Sequence, residues 1–175
     1  MLILPTQKIP AISVNPKFLI IYGRPKSGKT HALSMLENNL IIDLEGGSQF
    51  IDAMAVQART IKELGEIAQA IRAENEKVGH NVYKHITIDN ATRLEEICLS
   101  YAKTLYKQTP MGKKYDCDDI RTLPNGSGYM YLREAVRKVI DMFRDLCESL
   151  ILVTHLKDKM VNYDGQDVTE IAIDL

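Results

Sequence analysis

In the run Gly23-Arg24-Pro25-Lys26-Ser27-Gly28-Lys29-Thr30, two glycines frame four residues and a Lys-Thr pair follows the second glycine. The residues before it, Phe18-Leu19-Ile20-Ile21-Tyr22, are continuously apolar and read as a strand buried on both faces. From Lys29 to about Glu37 the pattern is that of a helix. A strand that enters a glycine-rich turn and leaves as a helix brings backbone N–H groups together around an anion. At this spacing Lys29 supplies a point charge for β- and γ-phosphates, and the Thr30 hydroxyl supplies a ligand for Mg²⁺. A chance glycine turn requires neither residue. Residues 23–30 are therefore the expected cradle for ATP and Mg²⁺. His31 borders the cradle and is counted with it by position, although a histidine inside a first helix is more often packing than chemistry.

The rest of the chain alternates strands with helices. A second apolar run, Leu40-Ile41-Ile42-Asp43-Leu44, stops at Gly46-Gly47, and His85-Ile86-Thr87-Ile88-Asp89 is a third. Leu150-Ile151-Leu152-Val153-Thr154 is a fourth. Thr60 with Glu63, and Thr92 with Glu95, have capping-box spacing. Each pair opens an apolar stripe at helical period, Ile61 to Ile71 and Leu94 to Leu105. Leu132, Val136, Val139, Ile140, Phe143 and Leu146 mark a last and longest helix.

Between these helices, residues 108–128 show no periodicity and are expected to form a long functional or mobile loop. Asp164-Gly165 lies between two strand-like runs, a hairpin signal. This order predicts an α/β fold of three layers, a mainly parallel sheet with helices on both faces and a C-terminal hairpin. Residues 1–17, with Pro5, Pro10 and Pro16, are expected to form an extended arm ahead of a single core, residues 18–175.

Several polar residues fall where strands of such a sheet end, the edge at which ligands bind. Asp89 is placed to hold Mg²⁺ through water; the alternatives are a solvated strand end or a helix cap. Glu45, just past the second strand, is placed to orient or deprotonate a water facing the γ-phosphate. The bland alternative is a surface-loop glutamate, and Asp43 two residues earlier is supporting or structural. His155 ends the fourth strand, where a polar group can contact the γ-phosphate or simply meet water. Tyr115-Asp116-Cys117-Asp118-Asp119 reads as a solvated acidic loop rather than a metal loop.

Composition narrows the partners. The 175 residues are 45% hydrophobic and 26% charged, with a formal net charge of -1. A nearly neutral chain has no overall pull toward nucleic acid, so any such site must be a local patch. Cys98, Cys117 and Cys147 form no C-x-x-C pair, which fits reduced thiols in a cytoplasm. No apolar run approaches the roughly 20 residues that span a bilayer, so no membrane role is expected.

The set of motifs resembles the RecA-type core of P-loop ATPases: the Gly23–Thr30 cradle, a strand ending in Asp43-Leu44-Glu45, a strand ending in Asp89, and a strand ending in a polar residue. Together with Gly46-Gly47, Ile88-Asp89-Asn90-Ala91-Thr92 and Val153-Thr154-His155-Leu156-Lys157-Asp158-Lys159, it is similar to the short RecA-like nucleotide-binding proteins encoded by phages. That resemblance implies catalytic roles for Lys29, Glu45, Asp89 and His155 in ATP hydrolysis. It also implies homo-oligomers whose sites a neighbour's lysine or arginine completes, with Lys157 or Lys159 as candidates. The work implied is phage DNA recombination, single-strand annealing or replication in the cytoplasm of a bacterial host. Single-stranded DNA is the implied partner, and a single-strand-binding protein or another replication protein a further one.

The expected DNA contacts are Lys113, Lys114, Arg121, Lys157 and Lys159, although residues 107–121 mix bases with acids and are not a basic loop. Two features depart from related patterns. ATPases of the AAA+ type carry a glutamate directly after the Asp89 position, whereas this chain has Asn90. The resembling proteins also continue with further strands beyond the position of Leu175, so a truncated or minimal version is expected. Two other functions compete: a nucleotide-gated partner-binding module with little hydrolysis, and a small-molecule P-loop kinase. The kinase needs an arginine-rich lid, for which the long loop offers only Arg121.

Overall fold

The structure is a computed structural model that describes residues 17–114, 116–163 and 166–173. The expected arm therefore lies, but for Lys17, outside the described residues. Five strands form a parallel sheet in the order β1-β5-β4-β2-β3. They are β1 (Phe18–Gly23), β2 (Asn39–Asp43), β3 (Ala55–Gln57), β4 (Tyr83–Asp89) and β5 (Cys147–Tyr163). The helices are α1 (Lys29–Ser34), α2 (Ile61–Val78), α3 (Ala91–Lys107) and α4 (Ser127–Arg144).

Side chains alternate across a strand, so each apolar run feeds two cores. Ile42, Ile86, Ile88, Leu150 and Leu152 pack toward α2, α3 and α4, through residues such as Leu64, Leu94 and Phe143. Ile41, Ile151 and Val153 pack on the other face against Leu33 of α1. Helices thus cover both faces, and the expected three-layer P-loop arrangement is the one observed. Among the described residues, only the six-residue α1 and the segment around Ala53 cover the second face.

That thin cover, and the strand order, change the reading of β1. Among the described residues it pairs only with β5 and stands at the edge of the sheet. Phe18 and Ile20 are 38% and 40% exposed, so β1 is not buried on both faces as its composition suggests.

Other boundaries shift for local reasons. Helix α1 ends at Ser34 rather than near Glu37, because the chain turns through Asn38, at φ 53°, into β2. The buried Asn39 amide donates to the Leu33 carbonyl at 2.8 Å across this turn. Thr60 does cap α2 in a capping box: its hydroxyl accepts from the Glu63 N–H, and the Glu63 carboxylate accepts from the Thr60 N–H. At α3 the expected Thr92 cap is replaced by Asn90, whose Oδ1 accepts from the Arg93 N–H at 2.9 Å. Helices α2 and α4 have 18 residues each, so α4 shares the greatest length.

Residues 108–126 are not a free loop. Their apolar members Cys117, Ile120 and Leu123 are buried in the main core. A Cβ on Gly128 would lie 1.7 Å from the Ile120 carbonyl oxygen, so this stretch packs directly onto the start of α4. The hairpin is present, with one alteration. Strand β5 does not stop at Thr154 but runs on out of the parallel sheet, and β6 (Gln166–Ile173) pairs with it antiparallel from Leu156 to Tyr163. Its tip, residues 164 and 165, lies outside the described residues.

All three cysteines are buried and free. Burial pushes the Cys98 thiol up to about 12 and the Cys147 thiol up to about 11, which keeps both as unreactive thiols. Among the described residues no helix is long and apolar enough to cross a membrane.

Candidate active site

Sheet register assembles the site. Gly23 lies beside His155, and Asp43 beside Asp89, so four strands deliver polar residues to one edge. Because β5 stands between β1 and β4, His155 is interposed between the glycine turn and Asp89. Pro25, Lys26, Ser27, Gly28, Lys29, Thr30, His31, Asp43, Glu45, Asp89 and His155 line one cleft of ≈ 430 Å³.

The turn has the shape its residues demand. Gly28 sits at φ 83°, in the left-handed region that favours glycine, and open space surrounds the position of a Cβ there. Gly23 is held close instead, since a Cβ on it would come within 3.0 Å of the Ser27 hydroxyl. Lys26 also has positive φ, at 62°.

The Lys29 ammonium is already gathered to the mouth of the turn. It donates to the carbonyls of Gly23 and Arg24 at 3.0 and 2.9 Å and lies 3.2 Å from His155 Nδ1. An ammonium offers only donors, so Nδ1 accepts and the imidazole proton belongs on Nε2. Nε2 faces the Glu45 carboxylate at 3.8 Å, too far for a direct hydrogen bond. Burial lowers the Lys29 ammonium from its ordinary value, while Asp89 and Glu45 pull it back up.

Thr30 donates its hydroxyl proton to Asp89 Oδ2 at 2.6 Å. Burial raises the Asp89 carboxyl above the usual carboxylate range, the Thr30 hydrogen bond opposes this, and the nearby Asp43 and Glu45 add to the rise. A half-buried carboxylate beside a hydroxyl and two further acids is a pair of hard oxygens short of positive charge. That donor set suits a divalent cation such as Mg²⁺. Glu45 keeps its side chain half exposed at the mouth of the cleft, within reach of solvent water.

Asn90 does not compete for the catalytic place. It is fully buried, and its oxygen is used in the α3 cap. Asp43 has a larger part than its sequence position suggested, because its buried carboxylate gathers the turn that carries Glu45. Nothing in its residue type signals this, since the hydrogen bonds depend on the conformation of residues 44–48. A second cleft of ≈ 530 Å³ lies between α3 and α4. Its floor of Leu94, Leu132, Val136 and Leu152 holds none of these polar groups.

The five cations expected at DNA are not brought together within one chain. Lys113 and Lys114 follow the end of α3, held by turn hydrogen bonds to the Thr109 and Met111 carbonyls. Helix α3 leads away from Asp89 for 17 residues, about 25 Å at 1.5 Å per residue, so this pair is remote from the cleft. Lys157 and Lys159 lie on the extension of β5 just past His155. Arg121 is engaged by Asp119, which its guanidinium meets at 2.7 Å. Asp116 likewise pairs with Lys107 and Lys103.

A protein-family model described as an AAA domain matches residues 15–175. No curated protein matches the sequence.

Proposed function

The chain belongs to the AAA-domain family, and from that premise we propose that it binds Mg-ATP in the cleft beside Gly23–Thr30 and hydrolyses it. The observation that carries the reading is the 2.6 Å contact between Thr30 and Asp89, in one cleft with Lys29, Glu45 and His155. Backbone N–H groups of the glycine turn donate to the phosphate oxygens, and Lys29 exchanges its contact with His155 for β- and γ-oxygens. Thr30 and Asp89 would hold Mg²⁺, which would neutralise negative charge on the phosphates.

Glu45 accepts a proton from the water that attacks the γ-phosphorus. The bond from that phosphorus to the bridging oxygen breaks, and ADP leaves with the oxygen. His155, released by Lys29, then turns to the other tautomer, and its Nδ1–H donates to a γ-phosphate oxygen and loses that partner when the phosphate leaves. The family match supports a nucleotide-binding ATPase-type domain, and the position of Glu45 supports hydrolysis rather than binding alone.

We place this activity in phage DNA recombination, single-strand annealing or replication, with assembly into homo-oligomers that complete the site. Support comes from the motif resemblance and from β5, which carries His155 straight into Lys157 and Lys159. With Lys113 and Lys114 remote, the contacts to single strands fall on the hairpin side.

Binding measured at low salt with ATP is expected to weaken with salt at a log–log slope of about -0.7 per phosphate neutralised. Lys159→Ala should make that slope shallower, whereas replacing Lys113 and Lys114 should not. If ATP-loaded protein binds no single strand and DNA leaves hydrolysis unchanged, the nucleotide-gated partner-binding module becomes the better reading. One contact favours that second reading: Arg24 of the glycine turn pairs with Asp158 of the β5 extension at 3.3 Å, linking nucleotide to hairpin. A P-loop kinase gains nothing, because its lone lid candidate Arg121 is held by Asp119.

A further inference from the structure

We propose that Asp43 is a positioning residue for hydrolysis: its buried carboxylate clamps residues 44–48 and thereby sets where Glu45 presents its carboxylate. This rests on the reading of Glu45 as the group that accepts the water's proton.

The clamp is saturated. Asp43 is 4% exposed. Its Oδ1 accepts from the N–H groups of Glu45 and Gly46, at 3.0 and 2.7 Å. Its Oδ2 accepts from the Ser48 N–H at 2.8 Å and from the Ser48 hydroxyl. Burial works to raise the Asp43 carboxyl, and these four hydrogen bonds outweigh it and hold the group below its ordinary value. All four of these hydrogen bonds go to one turn.

The backbone on either side is pinned as well. The Leu44 N–H donates to the Asp89 carbonyl at 2.7 Å, and the Ala58 N–H donates to the Asp43 carbonyl at 3.1 Å. Gly46 turns through φ 91° between the two halves of the clamp. Glu45 thus leaves a fixed backbone while its side chain reaches into the cleft. A displacement of about 1 Å in such a group can cost as much as 10²-fold in rate. A polar anchor of this kind does more than fill space, since an apolar side chain here would leave four donors without an acceptor.

The substitution that isolates the role is Asp43→Asn. Its amide oxygen still accepts from Glu45 and Gly46, but its NH₂ faces the Ser48 N–H, donor against donor. The turn loosens on the Ser48 side while the side-chain volume is kept. Phosphate release at saturating Mg-ATP should fall about 10-fold, with ATP affinity changed by less than about twofold. Ser48→Ala, which removes only the hydroxyl contact, should move kcat in the same direction by a smaller factor.

The measurement that separates positioning from general stabilisation is the same substitution in Glu45→Gln. There the residual rate no longer depends on where residue 45 sits, so Asp43→Asn should cost less than about a further twofold. Wild-type kcat in Asp43→Asn, lost ATP affinity at unchanged kcat, or an equal fractional loss in both backgrounds would each overturn the proposal. If Asp43→Asn does not fold, as judged by thermal melting, Ser48→Ala is put through the same comparison and decides it. The two levels separate cleanly. A Glu45→Gln variant that turns over at the wild-type rate removes the reading of Glu45, whereas a slow Glu45→Gln beside a normal Asp43→Asn removes only the positioning role.

Discussion

Glu45→Gln is expected to lower the rate of ATP hydrolysis by about 10²-fold or more, the scale of general-base catalysis, while Mg-ATP stays bound. The amide keeps the length and volume of the side chain but cannot take the water's proton. Since Glu45 lies half exposed at the mouth of the cleft, the change removes no buried contact and should not destabilise the fold. The phosphate cradle, Lys29 and the Thr30–Asp89 pair are untouched, so ATP affinity should hold. Paired measurements of equilibrium ATP binding and phosphate release check this. Turnover at the wild-type rate would place the base elsewhere and remove the strongest structural argument for hydrolysis.

Lys29→Ala should act on the other half of the problem, reducing ATP affinity or turnover at least about tenfold, equivalent to 1.4 kcal/mol. The ammonium sits at the crossing of three acceptors, the Gly23 and Arg24 carbonyls and His155 Nδ1. Phosphate oxygens would replace these acceptors with full negative charge, so the loss on binding is electrostatic rather than structural. Burial already makes the lysine's charge costly, and Asp89 and Glu45 sustain it. Titration of the folded variant with ATP reads the effect directly. Unchanged binding and unchanged turnover together would remove the phosphate-cradle assignment.

Legibility in the sequence followed how local each cause was. The glycine turn, strand β4 ending at Asp89 and the Thr60–Glu63 cap are short-range patterns, and each is found where its residues place it. Strand β3 was invisible because Ala55–Gln57 is too short to show alternation. The exposure of β1 was hidden for a different reason: Phe18 to Tyr22 have the composition of an interior strand, and only the sheet order makes them an edge.

Residues 108–126 looked like an open loop for want of periodicity, yet Cys117, Ile120 and Leu123, three apart, were the available sign that this stretch reaches the core. Asn90 outcompeted Thr92 as a cap because it directly follows β4, where the helix must begin. The basic residues illustrate the limit of reading charge along a chain. Lys113 and Lys114 fall near Arg121 in sequence, but helix α3 carries them far from the cleft, while Arg121 closes on Asp119.

At the active edge the same division holds. Glu45, Asp89 and His155 could be placed because each lies at or just past the end of an apolar run, and the cleft does bring them beside Lys29 and Thr30. The hydrogen bonds among them could not be read, since they depend on register: Gly23 beside His155, Asp43 beside Asp89. From that register come the Lys29–His155 contact and the suggestion that nucleotide must break it.

The most direct measurement is the conversion of ATP to ADP and phosphate by the intact chain, with Mg²⁺ and with Mg²⁺ chelated. The account predicts phosphate release that matches ADP formation one for one, requires Mg²⁺ and stops on chelation. A chain that binds no ATP at saturating concentrations, or binds it without any release of phosphate, would contradict the claim that this cleft is a site of ATP hydrolysis.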